Sequence, residues 1–338
     1  MKILTFGEIM MRFQPQNYGR FIQAQSYEMN FGGGEANVAV ALAQFGCDAA
    51  FCTKLPDNPL ADACVNTLRG FGVDTRHIVR GGSRIGIYFS EKGASQRSGK
   101  VIYDRADSAI TEISVSDVDI AAMVEGVGWF HFTGITPALG EKPLAFLEAV
   151  LKEAKSRGVT VSCDLNYRGK LWTREKAKAV MTRLMKYTDV LISNEEDVRD
   201  VFGMKIGGDV IKGGLSADDY AAAADKLTAE FGFKAVAFTL RESFSASENG
   251  WSALLWDGRK AYVSKKYNLK IVDRIGGGDS FAAGLIYALV NSFDNAHAVN
   301  FAAAASALKH SIEGDFNLVG VDEVEKLAGG DGSGRVQR

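Results

Sequence analysis

Apolar positions along this chain follow two spacings in turn, and the alternation holds for most of its length. Ile3 to Ile9 is apolar on both faces, as a central parallel strand would be. Strand-like runs recur at Ala49–Lys54, Trp129–Thr133, Thr160–Asp164, Val190–Ser193 and Ala235–Leu240. Between them the apolar residues return at helical intervals. Helices are therefore predicted from Val38 to Phe45 with a stop at Gly46, from Asn58 and Pro59 to about Gly70, and over Pro143–Ser156, Arg174–Lys186 and Ala217–Phe231. Phe281, Leu285, Ala288 and Leu289 mark another, and an alanine-rich run, Phe301–His310, is expected to be the last.

Some stretches depart from this order. Phe21 to Phe31 alternates loosely, and in Ser83–Asp107 the residues Ile85, Ile87 and Phe89 alternate with Arg84, Gly86 and Tyr88 before a polar turn and a return through Val101–Arg105. That second pattern predicts a β-hairpin, a candidate lid. Trp251–Trp256 and Lys260–Val263 read as a small antiparallel pair, and a polar insertion lies around residues 207–216. Repeated β-then-α units predict an α/β fold with a parallel sheet covered on both faces and ligands at the carboxyl ends of its strands. The expectation is a single domain over residues 1–338, with β lid segments at about 10–32 and 83–107.

Composition narrows the function classes. With 46% hydrophobic and 24% charged residues and a net charge of -2, the chain offers no basic run for a nucleic-acid partner. Cys47, Cys52, Cys64 and Cys163 have no metal-ligand or redox spacing and read as reduced core thiols. The N-terminal strand reaches Glu8 too early for a signal peptide, and no apolar run is long enough to span a bilayer. A cytoplasmic protein without a membrane partner is expected.

The chemistry concentrates in two glycine-rich entries to helices. Asp273-Arg274-Ile275-Gly276-Gly277-Gly278-Asp279 ends an apolar lead-in and opens a helix. First-turn N–H groups lack intrahelical partners and carry the positive end of the dipole, so three residues without Cβ atoms there make a candidate anion hole. Asp279 would add a negative charge beside it, which suits a base that takes a proton from an attacking hydroxyl. The bland alternative is a flexible turn with a capping acid. Asn30-Phe31-Gly32-Gly33-Gly34-Glu35-Ala36-Asn37 is the second entry, and tight helix–sheet packing would explain it equally well. Five segments that follow strand ends, 32–37, 164–168, 194–197, 240–245 and 276–279, are each rich in Gly, Asn, Arg or acid and would face one crevice.

The Gly-Gly-Gly triplet near residue 33, the Asp-x-x-Gly-x-Gly-Asp run at 273–279 and the Asn194-x-x-acid between them resemble the ribokinase-like (PfkB) family of carbohydrate kinases across nearly the whole chain. Within it, Tyr103-Asp104-Arg105, the run Asp164-Leu165-Asn166-Tyr167-Arg168 with Leu171-Trp172, and Ala307-Leu308-Lys309-His310 with Gly314-Asp315-Phe316 are similar to the subgroup acting on 2-keto-3-deoxygluconate. The resemblance implies a ribokinase-like three-layer sandwich with a mostly parallel central sheet and a small β-strand lid. It implies transfer of the ATP γ-phosphoryl group to the terminal hydroxyl of a small sugar acid, with Mg2+ and a possible monovalent cation as cofactors. Asp279 matches the family's base and Gly276, Gly277 and Gly278 its anion hole, Gly276 and Gly278 also touching the nucleotide. Gly33, Gly34 and Asn37 match the sugar-hydroxyl segment, and Tyr88, Tyr103, Arg105 and Arg168 the acid-sugar contacts, two arginines suiting a carboxylate. Asn194, Thr239, Arg241 and Ser306 match nucleotide contacts, and Asp197 the acid that orders Mg2+ through water.

Four positions depart from the family pattern. Asp197 stands where glutamate is usual, with Glu195 and Glu196 beside it, Arg274-Ile275 replaces threonines, and Gly277 replaces the commoner alanine. Two other function classes remain open: a PfkB kinase for ribose, fructose or a nucleoside, and a non-catalytic sugar-acid binder. A homo-oligomer formed through the β lid is expected, because edge strands are ready partners.

Overall fold

The computed structural model describes residues 1–207 and 216–334, so the expected polar insertion at 207–216 falls almost wholly outside the described residues. Among these residues the strands are β1 (Lys2–Phe6), β2 (Met10–Gln14), β3 (Glu28–Gly32), β4 (Asp48–Leu55), β5 (Ile78–Arg80), β6 (Gly86–Glu91) and β7 (Lys100–Asp104). They continue as β8 (Val127–Thr133), β9 (Thr160–Asp164), β10 (Val190–Ser193), β11 (Ala235–Ser243), β12 (Glu248–Trp256), β13 (Ala261–Val263) and β14 (Tyr267–Lys270). The helices are α1 (Gly34–Gln44), α2 (Pro59–Gly70), α3 (Ile120–Val124), α4 (Glu141–Ser156), α5 (Arg174–Met185) and α6 (Glu195–Phe202). The last four are α7 (Ala217–Phe231), α8 (Gly277–Val290), α9 (Asn295–Lys309) and α10 (Val321–Gly329).

The larger sheet runs β13-β12-β11-β10-β9-β8-β1-β4-β5, with β14 paired to β12. From β11 to β5 every pair is parallel, and the strands beyond β11 add antiparallel. Successive side chains of a strand point to opposite faces, and β1 divides accordingly. Leu4 and Phe6 join the core beneath α4, α5 and α7, while Ile3 joins the core beneath α1, α8 and α9. Helices therefore cover both faces, as the sandwich architecture requires.

The alanine-rich helix begins at Asn295 rather than Phe301 and is followed by α10, which the sequence reading did not anticipate. Burial explains the miss. Ala298, Phe301, Ala302, Ala303, Ala304 and Ala305 are all fully covered, so α9 has no polar face along this stretch to produce a helical period.

A second sheet, β3-β2-β6-β7, stands over the strand ends. It draws on both stretches expected to form the lid, and β2 and β6 within it are parallel. On one face, Arg12 and Tyr88 are opposed across β2 and β6 and turn toward the larger sheet. On the other face Met11, Phe31, Ile87 and the partly buried Phe13 pack against the α1–α2 core, while Phe89, Met29 and Ile102 extend past it. Met29 is 43% exposed and Ile102 54%. The tip of the β6–β7 hairpin reaches the β11–β12 hairpin, where Ala246 N donates to Ser95 O at 2.8 Å. All four cysteines are free, and Cys52, Cys64 and Cys163 are buried.

Candidate active site

A cleft of about 750 Å³ opens between the carboxyl ends of the parallel strands and the second sheet. The carboxyl ends of β1, β9 and β10 lead to Glu8, Asp164 and Asn194, β11 supplies Thr239 from its middle, one residue past its pairing with β10, and the starts of α1 and α8 supply the two glycine-rich segments. Every site residue named from the sequence except Ser306 lines this cleft: Gly33, Gly34, Asn37, Tyr88, Tyr103, Arg105, Arg168, Asn194, Asp197, Thr239, Arg241, Gly276, Gly277, Gly278 and Asp279. Ser306 lies behind it. Fully buried, its hydroxyl donates to Gly277 O at 2.6 Å and braces the turn from beneath, so it does not line the cleft.

The two glycine segments meet at one hydrogen bond. Asn37 Nδ2 donates to Asp279 Oδ2 at 2.7 Å, while Asn37 Oδ1 accepts from Gly33 N at 3.2 Å. Gly276 caps α8 with φ 85°, a left-handed conformation that glycine adopts without strain, and a β-carbon there would overlap Asp315 O. A β-carbon on Gly33 would overlap Glu8 O. Gly278 has nothing within 4 Å on that side, so the turn is packed behind and open in front. Burial raises Asp279 to about 7, against the opposing effect of the Asn37 bond and with help from Asp315 and Glu35. That value suits proton transfer near neutrality.

Asp279 belongs to an acidic wall. Burial pushes the Asp164 carboxyl well above its ordinary value, and Asp197 and Asp279 add to the rise. Asp197 is raised to about 6 by burial; its Oδ2 accepts from Asn194 Nδ2 at 3.0 Å and its N–H donates to Asn194 Oδ1 at 2.9 Å. Among the described residues no three acidic, His or Cys side chains converge closely enough to ligate a metal directly. Carboxylate oxygens nevertheless suit a hard cation that keeps its waters, as magnesium does.

Opposite the acids stand the arginines, and they differ. Arg105 is paired with Glu8, whose other oxygen accepts from Ser108 Oγ at 2.6 Å, and its guanidinium lies over the Tyr103 ring. Arg168 has no ion pair among the described residues and bonds only to Tyr167 O, at 3.1 Å. Tyr88 offers its ring to the cleft, but its hydroxyl is committed to Asp315 Oδ2 at 2.5 Å. Arg241 lies over Trp251, with its guanidinium carbon 5.4 Å from the ring centre.

Behind the glycine turn lies a buried charge cluster that the sequence reading missed. Arg12, with no exposed surface, donates to Asp273 at 2.6 Å and to Asp315 at 2.7 Å. The available signal was a lone arginine in the apolar run Ile9-Met10-Met11-Arg12-Phe13, since a charge in such a strand needs a partner. Glu8 was missed as well, being read only as an early acid that argues against a signal peptide.

A model described as "pfkB family carbohydrate kinase" matches residues 1–317. The chain belongs to the pfkB family of carbohydrate kinases. It is a phosphotransferase, and pfkB kinases use ATP as phosphoryl donor. A Haloferax volcanii protein named 2-dehydro-3-deoxygalactonokinase is 35% identical over 98% of each chain. A Bacillus subtilis protein named 2-dehydro-3-deoxygluconokinase is 27% identical over 96% of this pfkB kinase and 94% of its own length. The crystal structure of 2-dehydro-3-deoxygluconokinase from Thermotoga maritima is 52% identical, with a TM-score of 0.95 over 98% of this chain and all of that one. The ribokinase-like sandwich is thus the fold of this pfkB kinase. No helix among the described residues is long and apolar enough to cross a membrane.

Proposed function

We propose that this protein is an ATP-dependent sugar-acid kinase that phosphorylates 2-keto-3-deoxygluconate on its 6-hydroxyl, with Asp279 as the base. The observation that carries the reading is the Asp279 carboxylate at the start of α8, fixed by Asn37 beside a glycine turn and raised to about 7. Asp279 takes the proton of the hydroxyl, the freed oxygen bonds to the γ-phosphorus, and the bond to the bridging oxygen breaks as ADP leaves. The N–H groups of Gly276 and Gly278 stabilise the negative charge on the transferring group, whereas that of Gly277, also expected to take part, already donates to Arg274 O at 3.3 Å. Gly33, Gly34 and Asn37 contact sugar hydroxyls, and Tyr88 and Tyr103 form a wall against the carbon chain.

The substrate carboxylate is assigned to Arg168 and Arg105. Arg168 supports this best, because no carboxylate of the described residues already occupies it as an ion pair. Arg105 is oriented by Glu8 and presents its remaining donors. Asn194, Thr239 and Arg241 hold the nucleotide. Magnesium, carried with ATP, neutralises charge on the phosphates, and Asp197 with Asn194 would hold it through water. The cofactors are ATP and Mg2+, and the chain works as a single domain whose second sheet is the sugar lid.

The Haloferax relative's name favours a second reading within the class, the galacto epimer of the same acid. The outer face of the second sheet, with Phe13, Met29, Phe89 and Ile102, is assigned to a second copy of this chain. The deciding experiment is a coupled ADP-release assay with magnesium-ATP and each of the two keto-deoxy epimers, ribose, fructose and adenosine. Strong preference for an acid sugar supports the arginine pocket. Turnover with neutral sugars alone would remove it, and no turnover with any would place the acceptor outside this set and overturn the sugar-acid reading.

A further inference from the structure

Lys309 has no exposed surface. Its side chain leaves the end of α9 and passes beneath Gly276, where an added β-carbon would stand 3.2 Å from Lys309 Cε. It ends on two backbone carbonyls, with Nζ donating to Ile312 O at 3.1 Å and to Asp273 O at 3.4 Å. These carbonyls belong to the two segments that form the floor of the glycine turn. One leads from β14 into α8, and the other follows α9. The same segments are joined by Val272 N donating to His310 O at 2.8 Å and by Gly314 N donating to Asp273 Oδ2 at 3.2 Å.

The charges in this cluster balance only if Lys309 is counted. Arg12 and Lys309 supply two positive charges and Asp273 and Asp315 two negative ones, all on side chains that are nearly or wholly buried. Burial lowers the Lys309 pKa, and the two carboxylates oppose that fall. Without the ammonium group, one carboxylate charge would stand uncompensated beneath the turn read as the anion site. Such an excess weakens an anion site from behind.

Resting on the phosphate-binding reading of the glycine turn, we propose that the Lys309 ammonium is a tethered monovalent cation, so that this kinase needs no free K+ or Na+ for turnover. A free cation at this floor would seek backbone carbonyls and carboxylates. Here the carbonyls of Asp273 and Ile312 are bonded by Nζ, and Arg12 grips both carboxylates. The monovalent cation that the family resemblance implied therefore does not fit this floor. Lys309 acts through the turn and is a positioning residue.

The first test uses the unmodified protein, assayed with tetramethylammonium as the sole monovalent cation and then titrated with KCl or NaCl. Turnover should change by less than about twofold. Activation of tenfold or more overturns the proposal. The second test compares Lys309→Ala with Lys309→Met. Both should lose on the order of tenfold to a hundredfold in kcat with little change in sugar KM. Methylammonium or K+ should then restore Lys309→Ala and raise its melting temperature. Lys309→Met, whose chain fills the space, should not respond. A folded Lys309→Ala that is fully active without added cations, or inactive at every cation concentration, overturns the proposal; if neither variant folds, the titration of the unmodified protein decides. Loss of turnover in Asp279→Asn together with failed rescue of Lys309→Ala rejects the tethered cation alone, whereas retained turnover in Asp279→Asn rejects the site reading beneath it.

Discussion

Gly277 and His310 compete for one volume: a β-carbon on Gly277 would stand 2.5 Å from Cε1 of the His310 ring. That ring is held on its other side, with Nδ1 bonded to Ser306 O at 2.7 Å and the Trp251 ring 5.2 Å away, and burial pushes it down to about 4, so it is neutral. The histidine therefore accounts for glycine at a position where alanine is commoner in the family. Gly277→Ala should destabilise the fold by about 1–3 kcal/mol, the scale of overpacking, and lower kcat as the turn shifts. Thermal melts and initial rates check it. His310→Ala combined with Gly277→Ala should recover part of both losses.

Asp279→Asn keeps the size of the side chain and removes the base. Turnover should fall by about 10²- to 10⁴-fold, the usual contribution of general base catalysis, with sugar affinity retained. Calorimetry on the variant measures the affinity independently of rate. Normal turnover in Asp279→Asn would exclude Asp279 from proton transfer.

The raised Asp279 predicts two pH dependences of opposite sign. Only the deprotonated carboxylate can accept a proton, so kcat/KM should rise with pH up to about 7 and level off above it. Stability should move the other way. Between the ordinary carboxylate value of 3.8 and about 7 the unfolded chain releases this proton and the folded chain keeps it, so the Asp279 contribution is full below that window and lost above it. Denaturant titrations should therefore find Asp279→Asn more stable than the parent at pH 8, and nearly equal to it at low pH.

Arg168→Ala should raise the KM for an acid sugar by about tenfold, the scale of one charge-assisted hydrogen bond, and leave a neutral analogue unaffected. Arg105→Ala carries an added cost, because Glu8 loses its partner in a site where it is only 4% exposed. A stability loss on top of the KM effect is expected there, and Glu8→Gln with Arg105→Ala should recover part of it.

Ile102→Asp places a charge on the outer face of the second sheet, where Ile102 is 54% exposed. Sedimentation should find the parent protein assembled and this variant shifted toward monomer. A parent that is monomeric at every concentration would remove the oligomer proposal.

How much could be read from residues alone depended on how local each signal was. The helices Pro59–Gly70 and Ala217–Phe231 carry their own starts in Asn58 and Ser216, whose side chains cap the first turn, so a short window suffices. The glycine segments were legible for the same reason, because the backbone conformation they permit is a property of those residues. Tyr88 was placed at the cleft but not its bond to Asp315, because the partner lies 227 residues away. Ser306 illustrates the limit in another way: it sits near the nucleotide segment in sequence terms, and only packing reveals that its hydroxyl faces the turn from behind. Arg12 in its apolar run signalled a buried charge and Lys309 stood in a run that carried the resemblance, but neither showed its partners, because those lie on distant residues.

Arg12 joins residues 261 and 303 positions downstream. During synthesis its strand leaves the ribosome long before either carboxylate exists. At the usual elongation rates the wait for Asp315 is roughly 15–60 s, during which this arginine can be neutralised by no native partner and must stay in water. The second sheet and the floor of the glycine turn can therefore close only after nearly the whole chain has been made, and a nascent polypeptide cannot have a finished site to offer.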